Sequence, residues 1–191
     1  METEWEATFW PIEKEEVRKL LRSAGATLTY SERLMRRRVF KLPMGSALTS
    51  GWVRVRDEGD RVTMSIKQSG TSLEDQREME ITVSDFDTAV ELVRALGCVE
   101  KAYQETKREL WELSEVQITL DEWPFLPPFV EIEGKSEEKI KNVADQLGFP
   151  WNDAIFGSVD VLYNKQYGTP FEKINTGTPH LVFEGPNPFQ N

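Results

Sequence analysis

Four pairs of like charges recur at positions i and i+2 along this chain: Glu4 and Glu6, Arg54 and Arg56, Glu78 and Glu80, Glu131 and Glu133. Residues two apart on an extended strand share a face at roughly 6.5–7 Å, and same-sign neighbours at that distance repel unless something lies between them. Carboxylates at such density suit a hard divalent cation, Mg2+ or Mn2+, which takes oxygen ligands. Paired arginines offer forked donors that match phosphate oxygens. Together the two kinds of pair would hold a metal–polyphosphate complex, with the metal bridging phosphate oxygens to an acidic wall. The plainer reading makes these ionic faces the solvent side of half-buried antiparallel strands. Such faces usually mix Thr, Ser and Lys rather than repeat one sign of charge.

Composition narrows the chemistry further. The chain has 191 residues, with 23 Lys and Arg against 33 Asp and Glu, a net charge of −10. That balance excludes a broad basic surface for extended nucleic acid, but not a concave site that concentrates a few cations. Cys98 is the single cysteine and His180 the single histidine, so intrachain disulfides, Cys-rich metal sites and two-His metal motifs are excluded. No apolar run approaches a membrane span, and METEWEATFW lacks the basic-then-apolar pattern of a signal peptide. The expected location is therefore cytoplasmic, without a membrane partner.

The elements that must position these charges are strands interrupted by three helices. Alternation of polar and apolar residues predicts strands over Thr3–Phe9, Met35–Leu42, Gly51–Asp57, Arg61–Lys67, Gln76–Val83, Thr106–Leu113, Val116–Asp121 and Phe129–Glu133. Helical spacing predicts helices over Pro11–Ala24, Ser84–Leu96 and Ser136–Leu147, each stopped by a glycine. DEGD at 57–60 reads as a tight turn, and 68–75 as a polar hairpin loop. The run 159–167 suits either a helix or a strand, and the tail from Gly168 is expected to wrap the surface or fray. Nearly every strand has one apolar face and one ionic face. If the helices cover the apolar faces from outside, a closed antiparallel barrel turns the charges inward.

These residues carry a resemblance. The chain resembles the CYTH superfamily, or triphosphate tunnel metalloenzymes, which includes class IV adenylyl cyclases, thiamine triphosphatases, inorganic tripolyphosphatases and fungal RNA triphosphatases. The likeness runs from about Glu2 to Tyr167, leaving 168–191 as a C-terminal tail. It rests on Glu4-Trp5-Glu6, Arg54-x-Arg56, Lys67, Glu78-x-Glu80, Arg108 in TKRELW, Asp121 in ITLDEW and Glu131-x-Glu133 in FVEIEG. It implies an α+β fold, an eight-stranded antiparallel β tunnel barrel with helices packed outside. By the same resemblance Glu4, Glu6, Glu131 and Glu133 would ligate Mg2+ or Mn2+, with Glu80 and Asp121 in the same acidic wall. Arg54, Arg56, Lys67 and Arg108 would grip the triphosphate, with Lys67 and Arg108 as catalytic residues. Arg36 and Arg38 share a strand face and would add to the basic side, and Lys165 would sit on a segment plugging one tunnel end. Thr8 departs from the family signature, which has Lys there, so one cationic phosphate contact is missing; Arg36, Arg37 or Arg38 could supply it from a neighbouring strand.

The function implied is metal-dependent hydrolysis of an inorganic or organic triphosphate. Two alternatives share the cavity: a class IV type cyclisation of ATP to cyclic AMP and pyrophosphate, and a nucleotide or polyphosphate binding module without turnover. A purely structural sheet predicts no such binding at all. The partner is thus a small triphosphate or nucleotide, with homodimerisation left open. Trp52, Trp111 and Trp123 are expected to pack rather than to stack on a base. Cys98 is expected to be a small buried apolar residue, His180 to be inert, and the charges of EKEE at 13–16 to form a solvated helix face.

Overall fold

Each run expected as a strand takes its place in one curled, mostly antiparallel sheet. The structure, a computed structural model, describes residues 2–3, 5–48, 50–68 and 77–190. The strands are β1 (Glu2–Thr3), β2 (Trp5–Phe9), β3 (Thr27–Lys41), β4 (Trp52–Asp57), β5 (Val62–Gln68), β6 (Arg77–Val83), β7 (Val99–Leu113), β8 (Val116–Glu122), β9 (Phe129–Gly134) and β10 (His180–Leu181). The helices are α1 (Lys14–Ser23), α2 (Phe86–Ala95), α3 (Glu137–Gln146), α4 (Asp160–Tyr167) and α5 (Phe171–Asn175). Across the sheet the order is β1-β6-β5-β4-β3-β7-β8-β9-β2, and β10 lies parallel to β7. β1 and β2 belong to one N-terminal run, which pairs first with β6 and then with β9. The run therefore touches both ends of the strand order, and the sheet curls around an interior.

Burial shows which face turned inward. Ala7, Phe9, Val116, Ile118, Leu120, Val130 and Ile132 form one core with Val17 and Leu21 of α1 and Ile140, Val143 and Ala144 of α3. Phe40, Val53 and Val55 pack under Phe86, Ala89, Val90 and Val93 of α2. The apolar strand faces are thus the outer faces, covered by helices, and the alternate residues line the interior. α2 is capped by Asp85, whose Oδ1 accepts from Thr88 N at 2.8 Å, and α3 by Ser136, whose Oγ accepts from Lys139 N at 3.4 Å. Gly97 ends α2 with φ of 86°, a left-handed conformation that favours glycine.

Two strands exceed their expected length. β3 and β7 each run for 15 residues and pair with one another along nearly all of it, with register shifts near Tyr30 and between Val39 and Phe40. The added half of β3 is mostly exposed, and that of β7 buries only Ala102 and the polar Gln104, so neither shows apolar alternation. The run 159–167 is helical. The tail does not fray: Ile174, Leu181 and Phe189 are buried in a third core with Trp123, Phe129, Leu162 and Tyr163. The turn at 57–60 is present, with Asp57 Oδ1 accepting from Gly59 N at 2.8 Å. The loop expected at 68–75 lies, beyond Gln68, outside the described residues. Among the described residues no helix is long and apolar enough to cross a membrane.

Candidate functional site

The interior of the curled sheet is a cavity of about 820 Å³. Its walls include Arg54 and Arg56 of β4, Lys67 of β5, Glu78 and Glu80 of β6, Arg108 of β7, Glu131 and Glu133 of β9, and Glu6 of β2. Arg54, Arg56, Lys67 and Arg108 thus form a basic arc on β4, β5 and β7, and Glu6, Glu131 and Glu133 an acidic arc on β2 and β9; Arg37 of β3, Lys101 of β7 and Lys135 just beyond β9 also line the cavity. Glu4 lies outside the described residues.

The basic arc is braced by carboxylates. Arg54 Nη2 donates to Glu78 Oε1 at 2.9 Å and to Glu80 Oε2 at 3.2 Å, and Lys67 Nζ pairs with Glu78 Oε2 at 2.9 Å. Arg56 Nε donates to Glu58 Oε1 at 2.8 Å. Glu58 is 1% exposed and also accepts from Arg61 Nε at 2.8 Å and Thr63 Oγ1 at 3.3 Å. Burial opposes ionisation of Glu58, but Arg56 and Arg61 hold its carboxyl below the usual carboxylate range. Burial and the neighbouring charges of Arg54 and Arg108 bring the Arg56 guanidinium down to about 10. Arg108 donates to both oxygens of Asp121, at 2.7 and 2.8 Å, and to Glu131 Oε2 at 2.7 Å.

The acidic arc holds its carboxylates in an unfavourable place. Glu6 and Glu133 face one another in register on β2 and β9, and Glu131 lies two residues along. Burial, and next the charge of Glu131, push Glu6 up to about 8. Burial, and next the charge of Asp121, push Glu131 up to about 7. Crowded oxygen donors that resist ionisation until a positive charge arrives fit a hard divalent cation. Among the described residues no three such side chains are already drawn into a cage.

Several expected site residues lie elsewhere. Arg36 and Arg38 point away from the cavity: Arg36 pairs with Asp57 at 2.9 Å and Arg38 with Glu100 on the outer face. Strand alternation explains this, since Arg37 between them is the inward residue. Lys165 is exposed on α4 and does not line the cavity; Ser158, Val159 and Asp160 at the start of that helix do. Thr8 is 5% exposed and does not line the cavity, and its backbone exchanges hydrogen bonds with Ile155 at 3.0 and 2.8 Å along the free edge of β2. Asp121 is fully buried with both oxygens engaged by Arg108, and its Oδ2 also accepts from Thr119 Oγ1 at 2.6 Å. It braces Arg108 rather than facing the cavity. Glu80 lines the cavity on the basic side, beside Arg54 and Arg56.

Sequence reasoning passed over Glu58 and Gln104 and named Arg37 only as one of three arginines that could replace the missing Lys. Glu58 was hidden because DEGD reads as a turn, and Arg37 was not singled out because it stands in a run of three arginines whose facing depends on register. Trp111 packs in the core at 5% exposure, Trp123 packs in the third core and also lines the cavity, and Trp52 is half-buried on the cavity wall. Cys98 is half-buried beside the α2 core, and His180 is exposed beside Tyr103. Lys14 leaves the expected solvated face, pairing with Glu32 and with Glu122 at 2.7 Å.

The fold recurs among solved structures. A "putative adenylate cyclase" from Vibrio parahaemolyticus superposes with a TM-score of 0.72 at 14% identity, over 84% of this chain and 97% of that one. A conserved hypothetical protein from Pyrococcus furiosus gives 0.66 at 24% identity, over 80% and 94%. A "putative adenylyl cyclase" from Hippeastrum, described as having a dominant triphosphatase activity, gives 0.57 at 14% identity, over 90% and 99%. No curated protein matches the chain. The CYTH domain model matches residues 40–150, more than half of the sequence, and those residues include the whole basic arc and both carboxylates of β9. With strands, cavity and family match in agreement, this chain belongs to the CYTH family.

Proposed function

We propose that the chain hydrolyses a triphosphate, inorganic or organic, held in its charged cavity together with a divalent cation. The observation that carries this reading is that Arg54, Arg56, Lys67 and Arg108 line one cavity with Glu6, Glu131 and Glu133. Guanidinium and ammonium groups held in place by Glu78, Glu58 and Asp121 present donors to phosphate oxygens without reorganising. A Mg2+ or Mn2+ ion held by Glu6, Glu131 and Glu133, with Glu4 as a further oxygen donor, would neutralise phosphate charge and polarise water. In the hydrolytic step a water oxygen adds to the terminal phosphorus as the bond to the bridging oxygen breaks. Orthophosphate and the shortened diphosphate result, and the water's proton goes to solvent. Arg54, Arg56 and Arg108 donate to the oxygens on which charge accumulates, and Lys67 contacts the same chain of phosphates. The activity described for the Hippeastrum relative supports this reading.

A second reading is cyclisation of ATP, in which the ribose 3′-oxygen attacks the α-phosphorus and pyrophosphate leaves. It is favoured by the cavity of about 820 Å³ with Trp52 in its wall, where a base could stack. The test is a panel of inorganic tripolyphosphate, ATP and thiamine triphosphate with Mg2+ or Mn2+, comparing the native chain with Glu6→Gln and Arg54→Ala. Orthophosphate release that both variants lose supports the hydrolase. Cyclic AMP with pyrophosphate transfers the assignment to the cyclase, and binding without any product reduces the protein to a binding module.

A further inference from the structure

The guanidinium groups that line the cavity differ in one respect. Arg54, Arg56, Arg61 and Arg108 each have a carboxylate within ion-pair range. Arg37 has none among the described residues, although it is only 7% exposed. Its Nη2 donates to Thr106 Oγ1 at 2.9 Å, and its guanidinium lies over the Trp123 ring, 4.6 Å from the centroid. Its Nε is buried without a hydrogen-bond partner. In register it stands opposite Arg56 on β4 and Gln104 on β7, so its nearest charged strand neighbour has the same sign.

A buried cation without a counter-ion is costly, and proteins normally pair it or leave it out. Thr106 and Trp123 fix the direction of the side chain but neutralise nothing. The remaining cavity guanidiniums are already offset by Glu58, Glu78, Glu80, Asp121 and Glu131, so their attraction for an anion is partly spent within the protein. Arg37 has no ion-pair partner of its own among the described residues and keeps free donor capacity on the cavity wall. Thr8 cannot supply a cation, since it is neutral, buried and absent from the cavity lining.

We propose that Arg37 is a substrate-binding residue whose counter-ion is a polyphosphate oxygen, and that it takes over the cationic contact that Thr8 does not make. The inference rests on the triphosphate reading of the cavity. It makes Arg37 a group whose removal weakens the ligand and spares the ligand-free fold. A guanidinium serving only structure would show the reverse.

The test titrates inorganic tripolyphosphate into the native chain, Arg37→Met, Arg37→Lys and Arg36→Met, once with Mg2+ and once with EDTA, and records the ligand-free melting temperature of each. In the condition where the native chain binds, Arg37→Met is expected to bind at least about five-fold more weakly, the loss of one charge-assisted contact. Its ligand-free melting temperature should equal or exceed the native value. Arg37→Lys should recover part of the affinity, and Arg36→Met on the outer face should bind as the native chain does. A smaller loss in Arg37→Met overturns the inference, as does an equal loss in Arg36→Met. If Arg37→Met fails to fold, Arg37→Lys decides by its affinity, and failure of both to fold assigns Arg37 to structure. If the native chain binds tripolyphosphate in neither condition, the triphosphate reading itself falls; if it binds and Arg37→Met matches it, only the role of Arg37 falls.

Discussion

Arg108 grips Asp121 through both carboxylate oxygens, Nε at 2.7 Å and Nη2 at 2.8 Å, and the same Nη2 reaches Glu131 at 2.7 Å. One guanidinium thereby ties a fully buried carboxylate on β8 to a cavity carboxylate on β9. Burial opposes the charge on Arg108, but Asp121 and Glu131 hold its pKa well above the ordinary value.

Removing Asp121 strands that charge. Asp121→Ala is expected to cost about 3–5 kcal/mol in urea unfolding, the range for breaking one side of a buried pair. Asp121→Asn keeps a hydrogen-bond acceptor and should cost less. Both should lower kcat more than they raise KM, since Arg108 loses its orientation toward developing charge.

Glu6 and Glu131 set the pH dependence of the metal-free chain. Their folded values, about 8 and about 7, lie above the ordinary 4.5. The folded state therefore holds protons that the unfolded chain has released. The associated stability is fully present below the unfolded value and is lost as pH rises through about 7 and 8. Urea midpoints in EDTA should fall steadily from pH 5 to pH 8, and Glu6→Gln should flatten part of that slope. Adding Mg2+ at pH 8 should restore the midpoint of the native chain more than that of Glu6→Gln.

Glu58 should act in the opposite direction. Its folded value is depressed below the ordinary 4.5, so its contribution is present above that pH and is lost as pH falls through the folded value. Glu58→Gln is expected to destabilise by about 3 kcal/mol at pH 7, because Arg56 loses its buried partner. The difference between variant and native midpoints should shrink toward pH 3.

The outer-face arginines and Lys165 provide the contrast. Arg36 is 54% exposed in its pair with Asp57, and such surface pairs contribute about 0–1 kcal/mol. Arg36→Ala, Arg38→Ala and Lys165→Ala are each expected to leave turnover of tripolyphosphate within about two-fold, the size of effect left when a surface contact is lost. A larger loss in any of them would place that residue at the substrate.

The sequence by itself determined the ingredients of the site. Alternation located eight runs that became strands of the curled sheet, because a half-buried strand must separate apolar from ionic residues, but it missed β10 and the added halves of β3 and β7. The like-charge pairs marked Arg54 and Arg56, Glu78 and Glu80, and Glu131 as inward residues, since same-sign neighbours are tolerated only where opposite charges or a ligand lie across from them. Tertiary structure alone decided which member of Arg36, Arg37 and Arg38 faces the cavity, because a one-residue change of register exchanges the two faces. It also decided that Asp121 braces Arg108 from behind, that Glu58 leaves its turn to neutralise Arg56, and that Thr8 bridges to Ile155 and stays out of the cavity wall. Each of these depends on what lies across from a side chain on another strand, and that distance is set by the pairing of the sheet rather than by position along the chain.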